Sequence, residues 1–413
     1  MGTTFGRAVG TTYRGRMPFS SPTLSRPVLS AGLSALLVGA LALTGCSLPP
    51  KANKKPGAVT TTTAVAKPPV PPPFTAKGMP AELAAVIKPL YFGGAVPASS
   101  SLAKTLRQRT PVKASRRVVT SGAVSTFKGV PIAVVTSGRD VTLAVKAPRW
   151  KVVGGWWPSI RLAAPSLGGA RRVLLVGSDA RTGESVNGAR ADSLHIVGVD
   201  GHGGGGVLGI ARDSYVNLAS GGKGKINSAL TFGGPSGLQR TVVSATGVPL
   251  EGYVITGFDG FKRTIDSIGG LPINVPVAVR GAGADVYVKA GPNKLTGREA
   301  LAYGRQRHSV AGGDIGRSAN QGLLIMAAGV FTKLVGPARL PGILHGAAPN
   351  FTTNLSAEQM LTLGASVYVT SPRRVHNRVA AGGFGMAGDG QSIVLWDTKA
   401  RRMFADIRDG NLL

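Results

Sequence analysis

The strongest constraint on the fold is an alternation of strand-like and helix-like segments that begins at Arg171. The strand-like segments are the short apolar runs "RRVLLVGSD", "SLHIVGVD", "GVLGIARDS" and "EGYVITGFD". Helical spacing follows in "GPSGLQRTVVSATG", "DGFKRTIDSIGG", "TGREALAYGRQR" and "SANQGLLIMAAGVFTKLV", and the tail adds "SAEQMLTLGASVYV", "GQSIVLWD" and "TKARRMFADIRDG". This alternation predicts one α/β domain over residues 168–413, with a mainly buried sheet covered on both faces.

Residues 81–165 have a different pattern, which predicts a small β-rich accessory module. A short helix is expected at "AELAAVIKPL", and strands at "RRVVTSGAVSTF", "VPIAVVT" and "DVTLAVKA", with "TSGRD" as a hairpin turn. Trp150, Trp156 and Trp157 lie where this module meets the α/β domain. Their indoles could stack on sugars or bind lipid headgroups, but packing at a domain interface is the favoured interpretation.

The charge of the chain is concentrated in its first part. The net charge is +30, and residues 1–165 hold 22 Lys and Arg against two acids, whereas residues 166–413 hold 26 against 16. A region this basic suits an anionic surface such as membrane headgroups, wall polymers or nucleic acid.

The N-terminus indicates which anionic surface is meant. Four arginines precede an uncharged apolar stretch over 28–44, which fits the apolar region of a secretory signal. It ends in Leu43-Thr44-Gly45-Cys46, which resembles a bacterial lipobox, and Cys46 is the only cysteine. We expect residues 1–45 to be a lipoprotein signal peptide and Cys46 to be lipidated, with an ordinary cleaved signal as the alternative.

Residues 46–80 are rich in Pro, Thr and Lys and cannot form a core, which predicts an extended tether. The α/β domain would then be held at the extracytoplasmic face of the cell membrane by a lipid anchor. At that location the basic residues match headgroups and wall polyanions better than nucleic acid.

Common catalytic motifs do not identify a function for this chain. Gly204-x-Gly206-x-x-Gly209 fits the dinucleotide formula, but a strand follows it instead of a helix, so a glycine-rich hairpin turn is expected. "SGGK" lacks the companion motifs of penicillin-binding enzymes, and the sequence has no nucleophile elbow, Walker loop or zinc helix.

Arginine and aspartate recur together at strand ends and in loops. The residues concerned, with their polar neighbours, are Asp179, Arg190, Asp192, Arg212, Asp213, Lys225, Asn227, Asp259, Arg305, Arg307, Asp314, Arg317 and Gln321. Guanidinium groups bind pairs of phosphate oxygens, and two carboxylates with phosphate oxygens suit Mg²⁺. Structural salt bridges would explain any one pair, but their joint recurrence favours phosphoryl chemistry.

The order of these motifs resembles the LytR–CpsA–Psr family of cell-wall glycopolymer ligases. The resemblance runs through "LLVGSDAR", "ARADSL", "ARDSYV", "KIN", "GFDGF", "GLPINVP", "LTGREALAYGRQR" and "GDIGRSANQ", over roughly residues 170–330. It implies an α-β-α sandwich with a central mixed sheet and a groove for a polyprenyl chain. It also implies metal-dependent transfer of a glycopolymer from a polyprenyl pyrophosphate carrier to peptidoglycan. The high Gly, Ala and Arg content suits an actinobacterial source, and the lipobox-like run at Cys46 predicts a lipoprotein-anchored member.

The resemblance also implies roles for individual residues. The metal, Mg²⁺ or Mn²⁺, would be held by Asp179 and Asp192. The pyrophosphate would be bound by Arg190, Arg212, Lys225, Arg305, Arg307, Arg317 and Gln321. The catalytic residues would be Arg190, Arg212 and Asp314, with Asp314 a candidate for activating the acceptor hydroxyl.

Departures from the family pattern leave other functions open. Ala211 stands where proline is usual, His195 stands where an aliphatic residue or Met is common, and the module over 81–165 has no counterpart that we can place. One alternative is a non-catalytic envelope protein that binds polyprenyl-linked or wall glycopolymers. Another is a pyrophosphatase that hydrolyses the same carrier.

The anchoring hypothesis predicts that Cys46→Ser abolishes lipidation, because the chain has no second thiol. The variant should accumulate as a precursor or leave the membrane fraction, as followed by metabolic labelling with a fatty acid. A wild-type protein that takes up no label would show the lipobox interpretation to be wrong.

Overall fold

The computed structural model describes residues 73–280, 286–307 and 310–412. The predicted signal peptide, Cys46 and most of the predicted tether lie outside the described residues. Within the described part, no single helix has the length and apolar character to span a membrane. Among the described residues, one bent pair of segments, Asp314–Val335 and Pro337–Asn350, has the length and composition of a membrane span. The two segments are bent by 107°.

The described chain alternates helices and strands throughout. The helices are α1 (Ala81–Phe92), α2 (Ser100–Arg107), α3 (Ser228–Thr246), α4 (Phe258–Ser267), α5 (Gly297–Arg305), α6 (Asp314–Val335), α7 (Leu340–Ala347), α8 (Ala357–Val369) and α9 (Thr398–Asp406). The strands are β1 (Phe74–Lys77), β2 (Val118–Phe127), β3 (Val130–Ser137), β4 (Asp140–Lys146), β5 (Trp150–Trp157), β6 (Leu162–Ser166), β7 (Arg171–Ser178), β8 (Ala191–Val199), β9 (Gly205–Ile210), β10 (Tyr215–Asn217), β11 (Lys223–Lys225), β12 (Tyr253–Thr256), β13 (Leu271–Val275), β14 (Val279–Arg280), β15 (Tyr287–Val288), β16 (Gly291–Leu295), β17 (Thr352–Thr353), β18 (Val375–Ala380), β19 (Gly382–Met386) and β20 (Ser392–Trp396).

The first sheet has six strands in the order β1-β2-β3-β4-β5-β6. It confirms the β-rich prediction for this region, including the short helix and the "TSGRD" turn between β3 and β4. Strand β1 was not expected, because it lies inside the segment interpreted as tether. Phe74 pairs with Val118 in a parallel ladder, so the last residues of 46–80 belong to the sheet. Four residues between proline and glycine are too few to carry a strand pattern.

The second sheet is the centre of the α/β domain and has the order β17-β12-β7-β8-β9-β18. Strands β12 and β18 run parallel to their neighbours β7 and β9, and the other pairs are antiparallel. Apolar residues of α3 and α9 cover one face, while α6 and α8 lie on the other. The predicted mixed sheet covered on both faces is therefore confirmed.

The two sheets share one hydrophobic cluster. Ile132 and Leu143 of the first sheet pack in it with Leu340 of α7, Leu361 of α8 and Val173 of β7. The tryptophans at the junction serve packing: Trp156 joins this cluster, and Trp150 and Trp157 are buried with α1 and α2 on the other face of the first sheet.

Glycine permits a close approach of a helix to strand β9. The expected hairpin turn ends at Gly204, and Gly206 and Gly209 lie inside the strand. A Cβ at Gly206 would stand 2.7 Å from a methyl of Ile407, and one at Gly209 would collide with Ser318 of α6. The glycines therefore serve helix–sheet packing more than the turn.

A buried arginine ties the start of β7 to α8. Arg171 is 4% exposed and donates to Glu251 at 2.6 Å, to the Thr362 hydroxyl at 2.7 Å and to the Gln359 carbonyl at 3.1 Å. Removal of the carboxylate would leave this guanidinium buried without its counter-ion.

Glu251→Ala should lower the free energy of unfolding by about 3 kcal/mol, as measured by chemical denaturation. Glu358→Ala is the matched control, because Glu358 also pairs at 2.7 Å, with Lys151, but both side chains are more than a third exposed. That control should cost less than about 1 kcal/mol. Equal losses in the two variants would contradict the role given to Arg171.

Candidate active site

A cavity of about 600 Å³ lies between the central sheet and helices α4, α5 and α6. Its lining is of two kinds. The apolar part includes Leu175, Val254, Phe258, Phe261, Leu301 and Ile325. The polar part includes Asp192, Arg212, Arg305, Arg307, Arg317 and Gln321. Six of the residues predicted from the sequence therefore line one cavity, together with the apolar surface that a lipid chain requires.

Local structure explains why the polar residues meet. Asp192 is near the start of β8, beside a bulge in the β7–β8 pair, and Arg212 follows the end of β9. Helix α5 begins with a capping box of Thr296 and Glu299 and ends at Arg305, after which Gln306 is extended. Helix α6 then begins at Asp314, which supplies the opposite wall.

Asp314 lies at the centre of the arginine cluster. Its Oδ1 is 2.9 Å from Arg317, 3.1 Å from Arg307 and 3.6 Å from Arg212. Asp314 and Arg317 thus pair across the first turn of α6. One carboxylate thus neutralises part of the repulsion among three guanidiniums. These contacts make Asp314 a positioning residue, and its role toward an acceptor hydroxyl stays a prediction.

Asp192 makes the second close contact with the cluster. Its Oδ1 accepts from Arg212 at 2.6 Å, and its backbone carbonyl accepts from Arg317 at 3.2 Å. Burial works against the charge on Arg212, but Asp192 and Asp314 outweigh it and raise the pKa. Burial lowers the pKa of Arg317, which has Asp314 opposing that shift. The cluster is therefore charged but incompletely paired.

Two buried donors in the cluster have no hydrogen-bond partner among the described residues. They are the Nε atoms of Arg212 and Arg317. Buried donors of this kind are normally satisfied, and an anion bound beside them would do so.

Arg305 and Gln321 are held by other contacts. The Arg305 guanidinium stacks over the Phe258 ring at 4.6 Å, which leaves its donors outside the ion-pair network. Gln321 donates to the Gly304 carbonyl at 2.9 Å and so links α6 to the end of α5.

Lys225, Asp179 and Arg190 are not part of the cavity lining. Lys225 pairs with Asp213 at 3.2 Å, next to Arg212 in the chain. Asp179 pairs with Arg190 at 3.2 Å and also accepts from the Arg190 backbone N–H at 2.8 Å. The Arg190 side chain is 64% exposed. Asp179 and Arg190 thus form a separate ion pair between the two ends of the loop that connects β7 to β8.

The two proposed metal ligands stand at neighbouring strand ends. Ser178 pairs with Ala191 across the antiparallel strands, so Asp179 lies on the loop side of that pair and Asp192 on the strand side, at the bulge. In the part of the chain that the structure describes, no group of three or more His, Cys, Asp or Glu side chains could hold a metal by itself. Two carboxylates fit a divalent ion that takes its remaining ligands from phosphate and water, as Mg²⁺ commonly does.

The structure adds His195 and Ser193 to the cavity lining, which the sequence did not indicate as site residues. His195 is fully buried; its Nε2 is 3.0 Å from the Ser318 carbonyl and its Nδ1 is 3.2 Å from the Ser193 hydroxyl. Burial lowers the pKa of His195 to about 4, partly opposed by the Ser318 carbonyl. A neutral imidazole therefore joins β8 to α6.

A model of the LytR_cpsA_psr family matches residues 159–404. The chain therefore belongs to the LytR–CpsA–Psr family.

Individual relatives support the same assignment. A probable cell wall biosynthesis protein, LcpB of Corynebacterium glutamicum, is 31% identical over 208 residues, which is 48% of this chain and 49% of LcpB. The polyisoprenyl-teichoic acid–peptidoglycan teichoic acid transferase TagV of Bacillus subtilis is 34% identical over 166 residues, which is 38% of this chain and 42% of TagV. The match thus spans about half the length of these relatives or less.

Solved structures show the same fold. The crystal structure of Bacillus subtilis TagV matches with a TM-score of 0.51 and 28% identity, covering 59% of this chain and 99% of that one. The protein gbs0355 from Streptococcus agalactiae matches with a TM-score of 0.52 and 20% identity, covering 59% and 90%.

His195 predicts a pH dependence of stability. Its folded-state pKa of about 4 lies below the usual value near 6.5, so the unfolded chain binds the proton more tightly. Its contribution is complete above about pH 6.5 and is lost as the pH falls toward 4, on the order of 3 kcal/mol in all. His195→Gln, compared with wild type by denaturation from pH 7 to pH 4, should lose less stability over this range. Parallel curves would show that His195 does not titrate on unfolding.

Proposed function

We propose that this chain transfers a glycopolymer from a polyprenyl pyrophosphate carrier to peptidoglycan and forms a phosphodiester link. The observation that carries the proposal is one cavity that combines an apolar lining with four arginines. Membership of the family and the teichoic acid transferase activity for which TagV is named support it. We also propose that the protein works at the extracytoplasmic face of the cell membrane, anchored through Cys46.

The donor is an amphiphile, and each of its halves has a matching surface. The polyprenyl chain would lie against Phe261, Leu301 and Ile325, where it removes apolar area from water. The pyrophosphate would be held by Arg212, Arg305, Arg307 and Arg317, whose planar forks match phosphate oxygens.

The reaction is a displacement at the phosphorus that carries the glycan. The acceptor hydroxyl oxygen forms a new P–O bond, the bond to the polyprenyl phosphate breaks, and the hydroxyl proton leaves to a base. Polyprenyl phosphate departs with the negative charge, which Arg305 and Arg307 would stabilise. Asp314 keeps Arg307 and Arg317 in position for this step.

We propose that Asp179 and Asp192 hold Mg²⁺, or Mn²⁺ in its place, when the donor is bound. The ion supplies positive charge to the phosphate oxygens. For this, Asp192 would share its carboxylate between the metal and Arg212, and Asp179 between the metal and Arg190. A protein that only binds carriers needs no such pair, which favours catalysis over the binding alternative.

Substitution of Arg305 or Arg307 by lysine should reduce glycan transfer at least about tenfold, roughly 1.4 kcal/mol of transition-state stabilisation. Lysine keeps the charge but lacks the fork that binds two oxygens at once. Transfer is measured by mass spectrometry with a synthetic polyprenyl-pyrophosphate glycan and peptidoglycan fragments.

The melting temperature of both variants should stay near that of wild type, because Arg305 and Arg307 are exposed. Arg402→Lys on α9, also exposed and outside the cavity lining, is the control and should transfer normally. Normal transfer by both Arg305→Lys and Arg307→Lys would place these arginines outside the site. Release of the glycan phosphate to water alone would favour the pyrophosphatase.

Asp192→Ala should abolish Mg²⁺-dependent turnover, since it removes a metal ligand and the 2.6 Å partner of Arg212. Asp179→Ala should do the same although Asp179 lies outside the cavity lining, because it supplies the second carboxylate. Calorimetric titration with Mn²⁺ in the presence of donor should show weakened metal binding in both variants. Full activity of either variant in excess EDTA would sink the metal assignment.

A further inference from the structure

The region that forms the first sheet and its helices has a large excess of positive charge. Residues 73–165 hold 14 Lys and Arg and only two acids, Glu82 and Asp140. Glu82 is paired with Lys146 at 2.7 Å. Asp140 is 1% exposed and accepts from the backbone N–H and the hydroxyl of Ser159. Neither acid is available to the remaining cations.

Six of these cations collect at one end of the sheet, which we call the cationic end. They are Arg107, Lys113, Arg116, Arg117, Arg139 and Arg161. All six are exposed, and none forms an ion pair with an acid of the described chain.

Hydrogen bonds show that these residues come from adjoining turns. The Ser137 hydroxyl donates to the Val119 carbonyl at 2.9 Å, which sets the β3–β4 turn with Arg139 beside the start of β2. The Ser159 N–H donates to Asp140 at 3.0 Å, which brings in the β5–β6 turn with Arg161. The Thr110 N–H donates to the Ile160 carbonyl at 2.9 Å, which adds the loop after α2.

The loop after α2 is fixed by an arginine of its own. Arg109 donates to the backbone carbonyls of Pro89, Leu90, Gly94 and Leu106, at 2.5 to 3.1 Å. It is therefore a structural residue, and the exposed cations on either side of it are presented by an ordered loop.

The described chain also begins at this end. Strand β1 runs parallel to β2, and the Val118 N–H donates to the Pro73 carbonyl at 2.7 Å, directly after Arg116 and Arg117. The segment that leads back to Cys46 therefore joins the domain beside the cationic end. Fully extended, its 26 residues between Cys46 and Pro73 span at most about 90 Å.

We propose that the cationic end docks on the anionic headgroups of the membrane to which the chain is attached. Each basic residue near an anionic leaflet adds attraction within a Debye length of about 10 Å. Attachment next to the same surface makes the contact intramolecular, so weak charge pairing is sufficient. The proposal rests on the membrane attachment proposed above and not on the transfer reaction. An anionic wall polymer is the competing occupant.

The test uses the full chain, as processed by the producing cell, reconstituted into phosphatidylcholine vesicles with or without phosphatidylglycerol. Ala114→Cys, in the exposed loop of the cationic end, carries a dye, and energy transfer to a headgroup acceptor is measured. Arg149→Cys, in the turn at the opposite end of the sheet, is the matched position. Phosphatidylglycerol should raise the efficiency of energy transfer from a dye at position 114 but not from one at position 149. Added salt should reverse this rise.

A charge variant separates the cationic end from net charge. Combined replacement by Gln of Arg107, Lys113, Arg116 and Arg117 should remove most of the phosphatidylglycerol-dependent rise in energy transfer at position 114, because each basic residue near an anionic leaflet adds attraction. Replacement by Gln of Arg373, Lys399, Arg401 and Arg402 removes the same charge from exposed sites elsewhere and should have little effect.

Several results would overturn the proposal. Equal energy transfer from position 114 with and without phosphatidylglycerol would contradict it. An equal loss of the response to phosphatidylglycerol in the two charge variants would also contradict it. A different outcome is that the wild-type protein binds soluble polyphosphate and shows no response to anionic vesicles. If the first charge variant loses that polyphosphate binding, the surface is assigned to a wall polymer. Glycan transfer assayed in detergent should be normal in both charge variants, so failure of this proposal leaves the proposed reaction untouched.

Discussion

The site depends on the contact of one carboxylate, Asp314, with three guanidiniums. Four arginines around one cavity repel each other, and the burial of Arg212 and Arg317 makes that repulsion more costly. Asp314 lies 2.9 to 3.6 Å from three of them, and Asp192 binds one of these again at 2.6 Å. The positive charge is thus held in place without being fully neutralised. Under the proposed function, that residual charge would bind the pyrophosphate of the donor.

The remaining architecture serves to bring these groups together. The mixed sheet supplies Asp192 and Arg212 from neighbouring strand ends. From the other side, α5 supplies Arg305, the segment after it supplies Arg307, and α6 supplies Arg317. His195, buried and neutral, connects β8 to the carbonyl of Ser318 and so fixes α6 against the sheet. The apolar faces of α4, α5 and α6 complete the cavity. Under the proposed function, adjoining surfaces of this single cavity would recognise a lipid chain and a diphosphate.

Much of the fold and of the site could be predicted from the sequence, because strands, helices and motifs are encoded by residues that are close together in the chain. Apolar periodicity gave β7, β8, β9, β12 and most helices, and the ordered motifs gave six cavity residues. Strand β18 was missed, since "VHNRVA" has a weak apolar pattern and joins the sheet only through its long-range pairing with β9. Lys225, Asp179 and Arg190 were grouped with the site from motif order, but their side chains pair outside the cavity lining. Which cation meets which carboxylate is a tertiary property that spacing does not encode.

The central claim is that one cavity holds both halves of a polyprenyl pyrophosphate. A crystal structure of the protein with farnesyl pyrophosphate tests it most directly. The hydrocarbon chain should lie against Phe261, Leu301 and Ile325. Phosphate oxygens should lie within hydrogen-bond distance of Arg305, Arg307 and the Nε atoms of Arg212 and Arg317, which have no hydrogen-bond partner among the described residues. A ligand whose phosphates lie away from these arginines, or whose chain lies outside the cavity, would contradict it.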